Sequence, residues 1–383
     1  MAVLVLNQFF WPDEAATSQL LVDVVRKGVL ETPITVVCGS SSYRRTVNQE
    51  SIPQVTIQRI RVPRSDHGTA SRVFSYASYV LGSFFQSVVL SRADVIFTMT
   101  TPPLLGVLGW IAQRRGAKHF IWEMDVYPDV AVELGVFAKS GFFDRLTGWL
   151  ADFPRRRADG IIALGPCMEE RLRRRGLGNV PIHVVHNWAD GDAIQPKPFV
   201  ADGRLKLFYS GNMGLAHDFE TVIPALKELD PRFLVRFSGA GPRRKDVEAE
   251  CQELPWCEFS GYHAREDLGP AFGANDIGLV TQKAETVGTI VPSKVYGILA
   301  AGRGVLYVGP RESTVGRIIA EHRVGWQVAN GDTAGLLAVL RDLQCNSALV
   351  EDTGKRAREV FEREFDKTGQ VNKILAIING GSL

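Results

Sequence analysis

The chain has 383 residues, 45% of them hydrophobic and 22% charged, with a formal net charge of +2. That length outgrows a single hydrophobic core and predicts two domains of an ordinary globular enzyme. The near balance of charge argues against wholesale nucleic-acid binding, which calls for a strongly basic domain.

In chain order the pattern alternates strand and helix, the mark of parallel α/β architecture. A short apolar strand over 2–6 is followed by an amphipathic helix over 17–27 and a strand over 34–38. Residues 73–91 carry no charge and lie between Arg72 and Arg92, near the lower limit for a membrane span. Interrupting Ser, Tyr and Gln residues leave three readings: a packed core helix, a helix with one face dipping into a bilayer, or a span. A strand over 93–98 precedes a helix opened by Pro102-Pro103 and running to about Arg115. The strand over 118–122 ends in Glu123-Met-Asp125-Val-Tyr127-Pro128-Asp129. A helix over 142–157, a strand over 160–164, a helix over 166–175 and a strand over 182–185 complete this half.

From Asn187 to Pro198 the chain turns polar and Pro-rich, as a linker does. The rhythm then restarts with strands over 205–209, 234–237, 257–259, 276–280 and 305–308. Helices are predicted over 219–229, 243–253 and 265–272, and a last helix over 355–378. The predicted organisation is an N-terminal domain over 1–187, a linker over 188–203, a C-terminal domain over 204–354, and a helix over 355–383 that crosses back to the first domain. Two such sheets imply a cleft between their carboxyl edges, where open α/β sheets bind ligands.

Three glycine turns follow strands of the second half: Ser210-Gly211-Asn212-Met213-Gly214, Ser238-Gly239-Ala240-Gly241-Pro242 and Ser260-Gly261-Tyr262. Glycine at a strand end lets backbone approach a ligand. A loop through Gly288, Thr289 and Ile290 then runs into Pro292-Ser293-Lys294, read as a helix start with Ser293 as N-cap. Orphan N–H groups, the helix dipole and Lys294 together suit an anion such as a diphosphate. The bland alternative is a solvated first-turn lysine. Neither a Walker pattern nor a full GxGxxG is present, which disfavours classical dinucleotide binding.

Several pieces, taken in order and spacing, resemble the family 4 glycosyltransferases of GT-B architecture over essentially the whole chain. They are LNQFFWPDEAAT over 6–17, Asp125-Val-Tyr-Pro-Asp129, His186-Asn-Trp-Ala-Asp190, Tyr209-Ser-Gly-Asn-Met-Gly214, Gly239-Ala-Gly-Pro242, and Pro292-Ser-Lys followed by Leu299-Ala-Ala-Gly302. Within the family the chain is most similar to bacterial enzymes of polysaccharide and lipid-linked sugar assembly. The resemblance implies two Rossmann-like domains and retaining transfer from a nucleoside diphosphate sugar, UDP- or GDP-linked, with no metal and no cofactor beyond this co-substrate. It implies Ser293 and Lys294 on the diphosphate, with Asn212 and Arg243 as auxiliary donors beside Gly211. Backbone around Gly239, Gly241 and Tyr262 would hold base and ribose, and the Gly288-Thr289-Ile290 loop would lie along the sugar.

The acceptor, a sugar, a lipid-linked or a small molecule, would meet Phe10, Trp11, Thr17 and Asp125 on the N-terminal domain. Core packing remains the alternative for the aromatic pair, and a turn cap for Asp125. His217-Asp218 reads as an N-cap pair more readily than as a catalytic dyad. The chain also departs from the family. The two usual glutamates are replaced at Thr289 and Gly297, the Arg and Lys after the first strand of the second domain are missing, and Ala15-Ala16 stands for a Gly-Gly pair.

Arg155-Arg156-Arg157 and Arg171 with Arg173-Arg174-Arg175 read either as a solvated face or as a patch for an anionic bilayer. Five cysteines without CxxC spacing, and no signal peptide, point to reduced thiols and a cytoplasmic enzyme, with peripheral contact on the inner face of the membrane. A nucleotide-sugar 2-epimerase or hydrolase, or a catalytically silent nucleotide-sugar-binding subunit, are the rival readings.

Overall fold

The computed structural model describes residues 1–13, 15–29, 32–40, 52–63, 68–85, 92–263 and 267–380. Two compact units divide them: Met1–His186 with Gln370–Leu383, and Asn187–Gly369.

The first unit runs β1 (Val3–Leu6), α1 (Ala16–Gly28), β2 (Ile34–Gly39), β3 (Val55–Ile60), α2 (Gly68–Ser83), β4 (Val95–Met99), α3 (Gly106–Gln113) and β5 (Lys118–Trp122). It continues with α4 (Asp129–Glu133), α5 (Phe142–Arg155), β6 (Gly160–Ala163), α6 (Pro166–Arg174) and β7 (Ile182–Val184). The seven strands form one parallel sheet in the order β3-β2-β1-β4-β5-β6-β7. Its central strands, VLVL and VIFTM, are buried throughout. Such unbroken apolar runs are what a sheet covered on both faces requires.

The second unit holds β8 (Leu205–Ser210), α7 (Phe219–Lys227), β9 (Phe233–Ser238), α8 (Arg244–Cys251), β10 (Cys257–Ser260), α9 (Leu268–Gly273) and β11 (Ile277–Thr281). After it come α10 (Lys294–Ala300), β12 (Gly304–Val308), α11 (Thr314–His322), β13 (Gly325–Val328), α12 (Thr333–Cys345) and α13 (Ser347–Val360). Its parallel sheet has the order β10-β9-β8-β11-β12-β13. Alternation along β8 divides the core. Leu205, Leu207 and Tyr209 pack on one face with α7 and α12, and Phe208 packs on the other with α10 and α13. Both sheets reverse strand order between their first and fourth strands, the switch point at which doubly wound folds bind ligands.

Several expectations are corrected. β3, α4, α11, β13 and α12 had no sequence prediction. The helix expected from Pro102 begins only at Gly106. The single helix expected over 355–378 is three pieces. α13 runs through 355 without a break, a π-turn follows over Phe361–Phe365, Asp366 is extended, and α14 (Lys367–Ile378) starts afresh.

Of the uncharged stretch 73–91, residues 86–91 lie outside the described set. α2 buries Ser75, Tyr79 and Ser83 and exposes Phe74 and Leu81, with Phe85 exposed just beyond its end. Its polar groups have partners inside: the Tyr79 hydroxyl donates to Val37 O at 2.6 Å, and Ser75 Oγ accepts from Gln8 Nε2 at 3.0 Å. Among the described residues no helix is long and apolar enough to cross a membrane.

Candidate functional site

In the second unit the three glycine turns converge. Gly211 N donates to Ser238 O at 2.9 Å, Met213 N to Ala240 O at 2.7 Å, and Gly239 N to Ser260 O at 3.2 Å. A Cβ on Gly239 would stand 2.0 Å from Gly211 O, and one on Gly241 2.4 Å from Asn212 Oδ1. Both have φ near +135°, at 131° and 139°. Only glycine meets both conditions, so the turns are a designed close approach of backbone at the carboxyl edge. Gly239→Ala should therefore destabilise this unit by at least about 2 kcal/mol, read by urea unfolding.

Lys294 reaches this edge from α10. Its Nζ is buried, has no hydrogen-bond partner among the described residues, and lies 3.5 Å from the centroid of the Tyr209 ring. Its Cε stands 3.9 Å from where a Gly211 Cβ would be. Burial pushes its pKa well below the usual lysine range. Tyr209 in turn donates its hydroxyl to Asn212 O at 2.8 Å. His217, edge-on to Tyr209, is held neutral, its pKa lowered to about 3 by burial and then by Lys294. The carbonyl of Thr281 lies 2.7 Å from His217 Nδ1, which must therefore carry the proton. Asp218 is an N-cap, accepting from Thr221 N at 2.9 Å, so the capping reading of that pair holds.

Other expected donor residues are placed differently. Ser293 stands at the N-cap position of α10, but its backbone is already helical and its exposed side chain makes no capping bond. Arg243 turns to Glu220 at 2.9 Å and Asp246 at 3.5 Å, so its charge is matched by carboxylates. Its neighbour Arg244, which sequence reasoning passed over, ties the turns together by donating to Gly239 O and, at 2.6 Å, to Ser260 O. Thr289 is fully buried and donates both its hydroxyl and its backbone N–H to Thr286 O, at 2.8 and 3.1 Å. Gly288 is buried with φ 77°, Ile290 is half-buried, and Tyr262 is exposed. Buried Gln282 fastens this loop through Thr286 O and Ile290 O at 3.3 and 3.4 Å, and itself accepts from Tyr307 at 3.0 Å. A Cβ on Gly297 would meet the Phe272 ring at 3.2 Å, so a larger residue there would first encounter an apolar neighbour.

The first unit holds the expected acceptor residues. Phe10 is buried in the core, which corrects its reading as a rim. Trp11 is half-buried, with the Arg26 guanidinium 5.2 Å from its ring centroid, and Thr17 is half-buried in the first turn of α1. Asp125 lies just beyond β5, its pKa raised to about 6 by burial and by Glu123. Beneath it Glu123 is clamped by Arg155, Nε to Oε1 at 2.6 Å and Nη2 to Oε2 at 3.0 Å.

The basic runs form an inward network. Arg155 also reaches Tyr127 O at 2.9 Å and Asp152 at 3.2 Å. Arg171 pairs with Asp129 and Glu133 at 2.5 and 2.7 Å, and Arg175 with Asp129 and with Asp152 at 2.8 Å. Arg173 and Arg174 answer Glu169 and Glu170 one turn back. The two runs are therefore not uniformly exposed: Arg155 is buried, Arg171 and Arg175 are half-buried, and Arg156, Arg157, Arg173 and Arg174 are exposed.

The family model described as a glycosyl transferase 4-like domain matches residues 16–188. The probable glycosyltransferase WbjE of Pseudomonas aeruginosa is 26% identical over 349 residues, covering 85% of each chain. Over residues 16–188 the chain resembles the family 4-like glycosyltransferases. A second relative, the putative colanic acid biosynthesis glycosyl transferase WcaI of Escherichia coli K12, is 23% identical over 336 residues, 82% of this chain and 81% of its own. Among solved structures, Anabaena HepE in complex with UDP superposes with a TM-score of 0.74 at 13% identity, over 99% of this chain and 100% of that one. The same protein is known in complex with UDP-glucose. At that identity the likeness establishes the fold, and the glycosyltransferase has the two Rossmann-like domains of GT-B architecture. Of the residues that fasten its turns, Gln282 carried one usable sequence signal, a polar side chain directly after the buried strand β11, while Arg244 opens α8 six residues past β9 and carried none.

Proposed function

We propose that the enzyme is a retaining glycosyltransferase that takes its sugar from a nucleoside diphosphate, UDP- or GDP-linked, and passes it to a hydroxyl acceptor in polysaccharide or glycolipid assembly. The observation that carries this reading is the buried, unpartnered ammonium of Lys294 at the switch point of the second sheet, facing three close-packed backbone turns. When the bond between the sugar and the diphosphate breaks, negative charge collects on the departing phosphate oxygen. A preorganised cation in a water-poor site stabilises that charge far better than solvent does. Gly211, where a Cβ would meet nothing nearer than Lys294 Cε at 3.9 Å, would leave room for the nucleotide beside Asn212, and Gly239 and Gly241 would hold the turns together around it. Asp125, half protonated near pH 6, would meet the acceptor hydroxyl. The UDP and UDP-glucose complexes of HepE and the colanic acid role in the name of WcaI support the donor class and the assembly role.

A thermal-shift panel of UDP, GDP, ADP and their sugars tests this. One nucleotide family should stabilise the protein by about 2.7 kcal/mol at roughly a hundred times its Kd, and the others far less. The matching nucleotide sugar should then give product that keeps the donor's anomeric configuration. A flat panel, or inverted product, would overturn the proposal.

A further inference from the structure

α5 is amphipathic the wrong way round for a helix that only covers a sheet. At a 100° turn per residue, Phe142, Leu146, Trp149 and Phe153 fall on one stripe. That stripe points to solvent: Phe142 is 73% exposed, Phe143 beside it 65%, and Trp149 62%. The rings fall in two groups along it. Phe142 and Phe143 meet edge to face at 5.7 Å, Trp149 and Phe153 lie 5.6 Å apart, and Phe153 packs on Trp110 at 4.8 Å. The acids of the same helix are engaged by the protein itself, Asp144 at the helix start and Asp152 with Arg155 on the inner side. Asp144 accepts from Ser140 N at 2.8 Å, Asp152 from Arg155 and Arg175, and Arg155 is buried on Glu123.

The cations left on the exposed side flank the aromatic row. Arg145, Arg156 and Arg157 form no ion pair with a carboxylate among the described residues. The Arg157 guanidinium sits 4.0 Å from the Phe153 ring centroid, and Arg156 donates to the carbonyls of Arg175 and Gly176, so neither charge is neutralised. An apolar stripe of this kind on a folded surface marks a contact site. Aromatics on one stripe, unpaired arginines along its edge and acids already engaged are the composition of a helix that lies in a membrane interface. α2 of the same unit repeats the inversion, with Ser75 and Tyr79 inside and Phe74 and Leu81 outside.

We infer that this face of α5 docks on the surface of an anionic lipid bilayer. Phe142, Phe143, Leu146 and Trp149 enter the headgroup layer, and Arg145, Arg156 and Arg157 pair with lipid phosphates. Docking of this kind is independent of the donor chemistry and needs neither substrate nor turnover.

Flotation of the full chain with phosphatidylcholine vesicles, with and without phosphatidylglycerol, tests it. Wild type should float with the anionic vesicles, about tenfold more weakly with the neutral ones, and progressively less as salt rises. Leu146→Ser/Trp149→Ser should lose about tenfold in partition, and Arg145→Glu/Arg157→Glu should lose the preference for anionic lipid. All four side chains are solvent-facing, and an unchanged melting temperature would show that the fold persists. Failure of wild type to float, or flotation unaltered by both variants, would overturn the inference. So would light scattering that shows a dimer broken by Trp149→Ser without any vesicle binding, since the face would then belong to a second copy.

Discussion

Lys294→Met should lower turnover on the order of a hundredfold while leaving the free protein at least as stable as wild type. The two halves of this result come from the same geometry. The ammonium is buried over the face of Tyr209 without a hydrogen-bond acceptor among the described residues. The ring returns some stabilisation as a cation–π contact, on the order of 1–2 kcal/mol. A fully satisfied cation would gain more, and burial accordingly holds the Lys294 pKa well below its ordinary value. Methionine keeps the length and removes the desolvated amine, so the fold loses nothing. Catalysis would lose the cation that the proposed function places at the leaving group.

The pH dependence has a definite sign. Because the folded protein binds the Lys294 proton more weakly than the unfolded chain, this residue's contribution to stability is largest above the unfolded lysine value, about 10.4, and declines as pH falls towards the depressed folded one. A diphosphate beside Nζ reverses the bias by favouring the charged form. Nucleotide binding should then take up a proton, and affinity should weaken as pH rises through the alkaline range. Calorimetry in two buffers of different ionisation enthalpy measures that uptake, which Lys294→Met should abolish. A variant that turns over at the wild-type rate would remove Lys294 from the chemistry.

The strands of both sheets were legible because parallel strands covered on both faces are short unbroken apolar runs, as in 277–281 and 304–308. The edge strand β3 was not, since its exposed positions dilute the pattern to VTIQRI. Three glycine turns announced the second site, and Lys294 was found by its oddity, a cation at a helix start. The arginines were misread for a physical reason. A sequence shows that Arg155 is charged but hides the carboxylate that will meet it, and Glu123 lies thirty-two positions away. The same blindness applied to α5. Phe142, Phe143, Leu146 and Trp149 have the spacing of a core-facing stripe, and only the fold shows that the core lies on the other side. Arg243 and Arg244 illustrate the finer limit. Adjacent residues on a helix start point about 100° apart, and sequence gave no reason to prefer the one that ties the turns.

Arg155→Ala should destabilise the first unit by about 3–5 kcal/mol. The substitution leaves Glu123 buried with its carboxylate unpaired, two residues before Asp125 and at the foot of the segment that carries it. It also frees Tyr127 O and one oxygen of Asp152 from their shared donor. The paired change Arg155→Met/Glu123→Leu should restore most of the loss, because removing both charges spares the desolvation cost of each. Arg157→Ala, two residues on and exposed, should stay within about 0.5 kcal/mol of wild type. Urea unfolding followed by fluorescence, with Trp122 of β5 directly beside Glu123, reads all three. An Arg155→Ala protein within 1 kcal/mol of wild type would mean that the clamp on Glu123 is incidental to the fold, and that Asp125 is held in place by the Thr100 hydroxyl, which accepts from its backbone N–H at 3.3 Å.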